Sequence, residues 1–216
     1  MKQSNEEFVR FLGEGTYGYV LLVKYTNPDG SSFLAAVKHS YAAEYDSLQK
    51  ELQILRELRG CPRIVKCFGD SLEQGLSSDG NKVHKLLLEY ASEGSLNAFM
   101  ENHTDRKLPE SMIKDFTRMV LEGLVSIHDH GFVHCDLKSA NLLVFRCNDS
   151  YELKISDFGN ALEVGQVPDY WETDFPYVGT PIYMPPESFR DGVAFRDASR
   201  KEQLQPLSDG ESQEKP

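Results

Sequence analysis

The chain has 216 residues, 40% apolar and 26% charged, enough to bury a core in one domain or two small lobes; wholesale disorder and a collagen-like repeat are excluded. The 23 Lys and Arg against 34 Asp and Glu leave a net charge of −11, which repels a phosphate backbone and argues against nucleic acid as a general partner. The longest apolar runs, such as Leu142-Leu143-Val144-Phe145, fall far short of the roughly 20 residues of a membrane span.

In chain order, Phe8 to Leu12, Tyr19 to Tyr25 and Phe33 to His39 read as strands, separated by Gly13 to Gly18 and by the turn Asn27-Pro28-Asp29-Gly30. The pattern is an antiparallel meander. Residues 44–59 switch to a helical period, with Leu48, Leu52, Leu55 and Leu58 on one stripe and Gly60 and Pro62 at its stop. Ile64 to Phe68 and Lys82 to Tyr90 return to strand patterning, with residues 74–81 as a loose polar connection. Gly94-Ser95-Leu96 opens a short helix. Ser111 to His130 forms a long one whose apolar residues, among them Ile113, Phe116, Val120, Leu124 and Val125, spread around so much of the circumference that neighbours are expected on several sides. Strands follow at Asn141 to Phe145 and Tyr151 to Ile155. From Arg196 onward only Ala198, Leu204 and Leu207 are apolar, too few to offset the entropy of ordering, so 191–216 is expected to be a disordered tail.

Cys61, Cys67, Cys135 and Cys147 show neither metal spacing nor the density of a disulfide scaffold, and no signal-peptide core follows Met1. Reduced thiols in a cytoplasmic or nuclear protein are expected.

Gly13-Glu14-Gly15-Thr16-Tyr17-Gly18 is a weak motif by itself, since dinucleotide-binding folds use the same pattern and a flexible turn is the ordinary alternative. Context favours a hairpin lid over phosphates, because the loop joins two strands and not a strand to a helix. In Leu34-Ala35-Ala36-Val37-Lys38, alternation puts Lys38 on an apolar strand face with Leu34 and Ala36, and the helical wheel of 44–59 aims Glu51 inward with the leucines. Each has an ordinary reading, a snorkelling lysine and a stripe-edge glutamate. His134-Cys135-Asp136-Leu137-Lys138-Ser139-Ala140-Asn141 and Asp157-Phe158-Gly159 add a base, a cation and two hard oxygen ligands. Gly179-Thr180-Pro181 and Pro185-Pro186-Glu187 complete an ordered set that chance does not assemble.

With that set the chain resembles a eukaryotic protein kinase from residue 8 to about residue 190. The resemblance implies ATP and Mg2+ as cofactors and a two-lobed α+β fold with a β-rich N-lobe (1–91) and an incomplete α-helical C-lobe (92–190). It casts Gly13, Gly15 and Gly18 as the phosphate lid, Val20, Ala36 and Leu143 as the apolar jaws on adenine, and Leu12 as a further ATP-binding residue. Leu88 resembles the gatekeeper, followed by Glu89 and Ala91 in the hinge. Lys38, positioned by Glu51, would hold the α and β phosphates; Asp136 would take the substrate hydroxyl proton; Lys138 would steady the γ-phosphate; Asn141 and Asp157 would bind magnesium. Lys138 together with Thr180 resembles the serine/threonine branch. The Lys-Glu-Leu-Gln-Ile-Leu helix and the Gly-Thr-Pro-x-Tyr-Met-x-Pro-Glu ending resemble mitogen-activated protein kinase kinase kinases, and the His-Cys-Asp-Leu-Lys loop is similar to plant members of that group, which implies a MAP kinase kinase as protein substrate.

Two departures qualify the resemblance. Cys135 stands where most of the family has Arg, so loop activation through an Arg to phosphothreonine pair is not expected, although Thr173 and Thr180 remain candidate modification sites. The Asp-x-Trp helix that follows the Pro-Glu in the family is absent, so Glu187 is expected to lack its distal arginine and the C-lobe to be incomplete. A weakly active or inactive module that binds nucleotide or signalling partners is the alternative. The sequence does not fix the oligomeric state.

Overall fold

Five antiparallel strands build the upper part of the molecule, in the order β1-β2-β3-β5-β4. They are β1 (Asn5–Gly15), β2 (Gly18–Thr26), β3 (Ser32–Tyr41), β4 (Cys67–Leu76) and β5 (Lys82–Glu89). The computed structural model describes residues 5–15, 18–41, 44–77, 79–166 and 179–184; Thr173, Glu187 and the tail expected over 191–216 lie outside them. The hairpin of β1 and β2 carries the glycine motif at its tip, with Gly15 opposite Gly18. Its strands therefore run further toward the tip than the expected Gly13 to Gly18 loop.

The helix α1 (Tyr45–Glu57) packs its leucine stripe under the sheet, with Leu48, Leu52 and Leu55 at most 2% exposed. Because successive β3 side chains point to opposite faces, Ala36 joins the core beneath the sheet while Ala35 and Val37 join a smaller cluster above it with Val23, Tyr25 and Leu87.

The segment around Ile64 is not the strand its apolar run suggested. Only Ile64 bridges, in parallel, to Ile155, and β4 begins at Cys67. Conversely β4 continues to Leu76 through residues read as a loose connection, with Gly75 opposite Val83 and an irregularity between Phe68 and Glu73. Its polar sequence gives little intrinsic strand preference; pairing with the apolar β5 decides it.

Below the sheet lie α2 (Leu96–Glu101), capped by the Ser95 hydroxyl accepting from Ala98 N, and α3 (Glu110–Asp129). The hairpin of β7 (Leu142–Cys147) and β8 (Ser150–Ile155) packs on α3, and the two-residue strands β6 (Phe132–Val133) and β9 (Leu162–Glu163) pair with each other. Sequence patterning missed the last two, because two residues carry no period. One core joins α1, the start of α2, α3, β7 and β8, with Phe158, Ile127, Val144, Leu153 and Ile155 wholly enclosed. The expectation that α3 is covered on several sides does not hold among the described residues. It buries Phe116, Gly123, Ser126 and Ile127, while Ile113, Leu121 and Val125 are 49–58% exposed. The α+β class is as expected. No helix among the described residues is long and apolar enough to cross a membrane.

Candidate active site

The sheet register sets the upper half of the site. Gly13 stands opposite Val20, Val20 opposite Lys38 and Lys38 opposite Leu86, so one row across four strands places the glycine hairpin beside the strand lysine. Lys38 Nζ lies 2.6 Å from Glu51 Oε2 and 2.8 Å from Asp157 Oδ1. Three elements separated by up to 119 residues thus meet at one ammonium. Burial pulls the Lys38 ammonium down, but Glu51 and Asp157 outweigh it, and Lys38 is held protonated. Desolvation pushes the Asp157 carboxyl up and is outweighed by Lys38, so Asp157 stays ionised. For Glu51, 1% exposed, desolvation wins over Lys38 and the net direction is upward. Glu51 also accepts from Phe158 N at 3.4 Å, tying α1 to the segment after β8.

The lower half is built on the loop after β6. Lys138 Nζ donates to Asp136 Oδ2 at 2.8 Å and to Thr180 Oγ1 at 2.7 Å, and Thr180 Oγ1 donates to Asp136 Oδ1 at 2.7 Å. The three side chains close a triangle. Asn141 Nδ2 donates to the Asp136 carbonyl at 2.8 Å, which fixes the amide and turns its own oxygen away from that bond. Cys135 and Asp157 adopt left-handed backbone, φ 64° and 66°. Such conformations cost about 1–3 kcal/mol each and persist where the surroundings overdetermine them, as at sites of function. Gly179, φ 101°, lies so close that a Cβ there would collide with the Cys135 carbonyl, and this approach brings Thr180 onto Asp136.

His134, 2% exposed, braces the two halves of this floor. Its Nε2 donates to the Ser156 carbonyl at 2.9 Å and its Nδ1 accepts from Asp136 N at 3.3 Å, a pattern only the neutral imidazole satisfies. Desolvation lowers its basicity accordingly. Burial pushes the Cys135 thiol up to about 12, and its S–H donates to the Val133 carbonyl.

Between the halves, Leu88 is buried in the core against which Ala36 and Leu143 pack, so these three proposed adenine contacts share one apolar surface. Leu12 and Val20 are half-buried on β1 and β2. Glu89 N donates to Lys66 O at 2.9 Å, so this N–H is engaged within the protein. Ala91 accepts from Gly94 N, and its own N–H has no partner among the described residues.

Sequence reasoning missed the side chain of Glu89. Lys154, 6% exposed, donates to both its oxygens at 2.8 Å and stands 4.6 Å from the Phe145 ring centroid. The period-two alternation of Glu152 and Lys154 in β8 was the available signal. The sequence motif gives no role to His134, whose bracing contacts arise only in the fold.

No group of three or more His, Cys, Asp or Glu that could hold a metal occurs among the described residues. Asp157 and Asn141 offer one carboxylate and one amide oxygen, a hard-donor pair suited to an ion that completes its shell with water and phosphate oxygens.

A family model described as "Protein kinase domain" matches residues 7–199. Among known proteins, the chain is 40% identical over 181 residues to Mitogen-activated protein kinase kinase kinase 20 of Arabidopsis thaliana, covering 83% of this chain and 51% of that protein. It is 34% identical over 181 residues to Mitogen-activated protein kinase kinase kinase 17 of the same plant, covering 84% and 45%. It is 36% identical over 164 residues to the serine/threonine-protein kinase chk-1 of Caenorhabditis briggsae, covering 74% and 31%. The chain spans about half the length of the two plant relatives.

Proposed function

The chain belongs to the protein kinase family, and on that premise we propose that it transfers the γ-phosphate of ATP to serine or threonine hydroxyls of protein substrates. The observation that carries this reading is the pairing of two charge constellations in one fold, Lys38 with Glu51 and Asp157, and Asp136 with Lys138 and Thr180.

In this reading the glycine hairpin of β1 and β2 covers the phosphates, and the row Gly13, Val20, Lys38 delivers the Lys38 ammonium to their oxygens. Glu51 keeps that ammonium from collapsing elsewhere. Asn141 and Asp157 would hold magnesium, which when bound would supply charge neutralisation to the phosphates. Asp136 orients the acceptor hydroxyl and takes its proton, while Lys138 balances charge on the transferring group. Ala36, Leu88 and Leu143 hold the adenine, and the Glu89 carbonyl and Ala91 N–H supply one acceptor and one donor at its edge.

The Lys138 to Thr180 contact supports a serine/threonine acceptor, and the names of the plant relatives support a MAP kinase kinase as substrate.

The test is magnesium-dependent labelling of a generic protein substrate by the chain and by Asp136→Asn. Loss of label in the variant is expected. Equal labelling would sink the proposal, whereas thermal stabilisation by magnesium and ATP without any labelling would favour a nucleotide-binding module.

A further inference from the structure

Arg63 lies in the connection between α1 and β4, with left-handed backbone at φ 61°. Its carbonyl accepts from Ile155 N at 2.8 Å, and Val65 N donates to Ile155 O at 2.9 Å, so the connection is stitched to the last residue of β8, two positions before Asp157. The side chain reaches in two further directions. Nε donates to Glu122 Oε2 on α3 and Nη1 to Glu152 Oε1 on β8, each at 2.8 Å. Glu152 stands 3.8 Å from Lys154, which holds Glu89 at the end of β5. Charges therefore run unbroken from α3 through Arg63 and β8 to the hinge. At the same crossing Gly123 lets α3 approach closely, since a Cβ there would lie 2.7 Å from Ile155 Cδ1 and 3.2 Å from the Arg63 carbonyl.

We propose that Arg63 is a positioning residue, whose bridge from the α1–β4 connection to Glu122 and Glu152 sets the register between α1, which carries Glu51, and β8, which delivers Asp157. The chain is held at two ends. At one, Lys38 joins Glu51 to Asp157; at the other, Arg63 joins the segment after α1 to α3 and β8. Only the planar guanidinium can do the second task, because its separate N–H vectors serve two carboxylates that one ammonium cannot serve with the same geometry. The Glu122 carboxyl is lowered by its hydrogen bond to Arg63, and Arg63 is raised in turn, first by the same bond. The side chains of Arg63, Glu122 and Glu152 are 24%, 39% and 30% exposed, and pairs so open to water add little to stability. The loss on removing the bridge falls on alignment. This inference rests on the phosphotransfer reading for its kinetic test and on hydrogen exchange for a test without turnover.

In Arg63→Met, kcat is expected to fall roughly 10-fold to 100-fold, in line with the cost of small misplacements of reacting groups, while the KM for ATP changes less than about 3-fold because the adenine contacts lie elsewhere. Arg63→Lys should recover part of kcat, and adding Glu152→Gln to Arg63→Met should lower it no further. Without any turnover measurement, the amides of Ser156 and Phe158 should exchange faster in Arg63→Met while that of Leu22 in the sheet does not. A variant that melts at a lower temperature yet keeps wild-type kcat, or that shows unchanged exchange at Ser156 and Phe158, overturns the proposal. A wild-type chain without labelling overturns the phosphotransfer reading instead, and the exchange result still decides the bridge.

Discussion

Thr180 donates its hydroxyl to Asp136 Oδ1 at 2.7 Å across 44 residues of sequence, and accepts from Lys138 at the same distance. The hydroxyl is both acceptor and donor, so it links the Asp136 carboxylate and the Lys138 ammonium by a second path beside their direct contact. Thr180→Ser retains both bonds and should keep most of the turnover. Thr180→Val retains the shape and loses both, and is expected to lower kcat roughly 10-fold to 100-fold through misorientation of Asp136. Equal kcat for the two variants would show that the triangle is incidental.

Glu89 and Lys154 form an ion pair whose side chains are only 16% and 8% exposed. Removing Glu89 leaves the desolvated Lys154 with only the longer 3.8 Å contact to Glu152, so Glu89→Gln should cost about 3 kcal/mol of stability, read from the urea midpoint. Replacing both, as Glu89→Leu with Lys154→Met, should recover much of that loss. A double variant as unstable as the single one would show that the charges themselves hold this end of the sheet.

His39, 5% exposed, is pushed down to about 4 by burial and by the neighbouring Lys85. Its folded pKa lies below the unfolded value near 6.5, so the unfolded chain binds the proton first and stability present above pH 6.5 is lost as pH falls toward 4. The loss from this residue is about 3 kcal/mol. His134, shifted in the same direction, adds to it. Thermal unfolding between pH 7 and 4 should show a shallower decline in His39→Asn than in the parent chain; identical slopes would exclude His39 as a source.

Cys135, with its thiol pushed up to about 12 by burial, is a neutral S–H donor to Val133 O at neutral pH and not a nucleophile. Brief treatment with iodoacetamide should modify the exposed Cys147 well before Cys135, as peptide mass mapping would resolve. Early labelling of Cys135 would contradict the enclosed geometry of the loop.

Much of the site was legible before any coordinates, because its chemistry lies in side-chain types at short, ordered spacings. Alternation in β3 oriented Lys38, and the period of α1 oriented Glu51 toward it. Illegible were the contacts whose partners lie far apart with no period linking them. Arg63 with Glu122 and Glu152 and the two-residue strands β6 and β9 carry no local signal, and for Lys154 the alternation in β8 gave a face but not its partner Glu89. The polar β4 was misjudged for the same reason, since its strand form comes from β5.

Residue chemistry and local period by themselves determined the inward faces of β3 and α1 and the identity of the charged groups, while the α+β class followed from the family resemblance those motifs carry. Tertiary packing alone decided which charges meet, because the Coulomb energy and desolvation of an ion pair depend on distance and enclosure, and neither is a property of one segment. The crowding at Gly179 and Gly123, the left-handed turns at Cys135 and Asp157, and the neutral tautomer of His134 arise only when distant backbone is brought within a few ångströms.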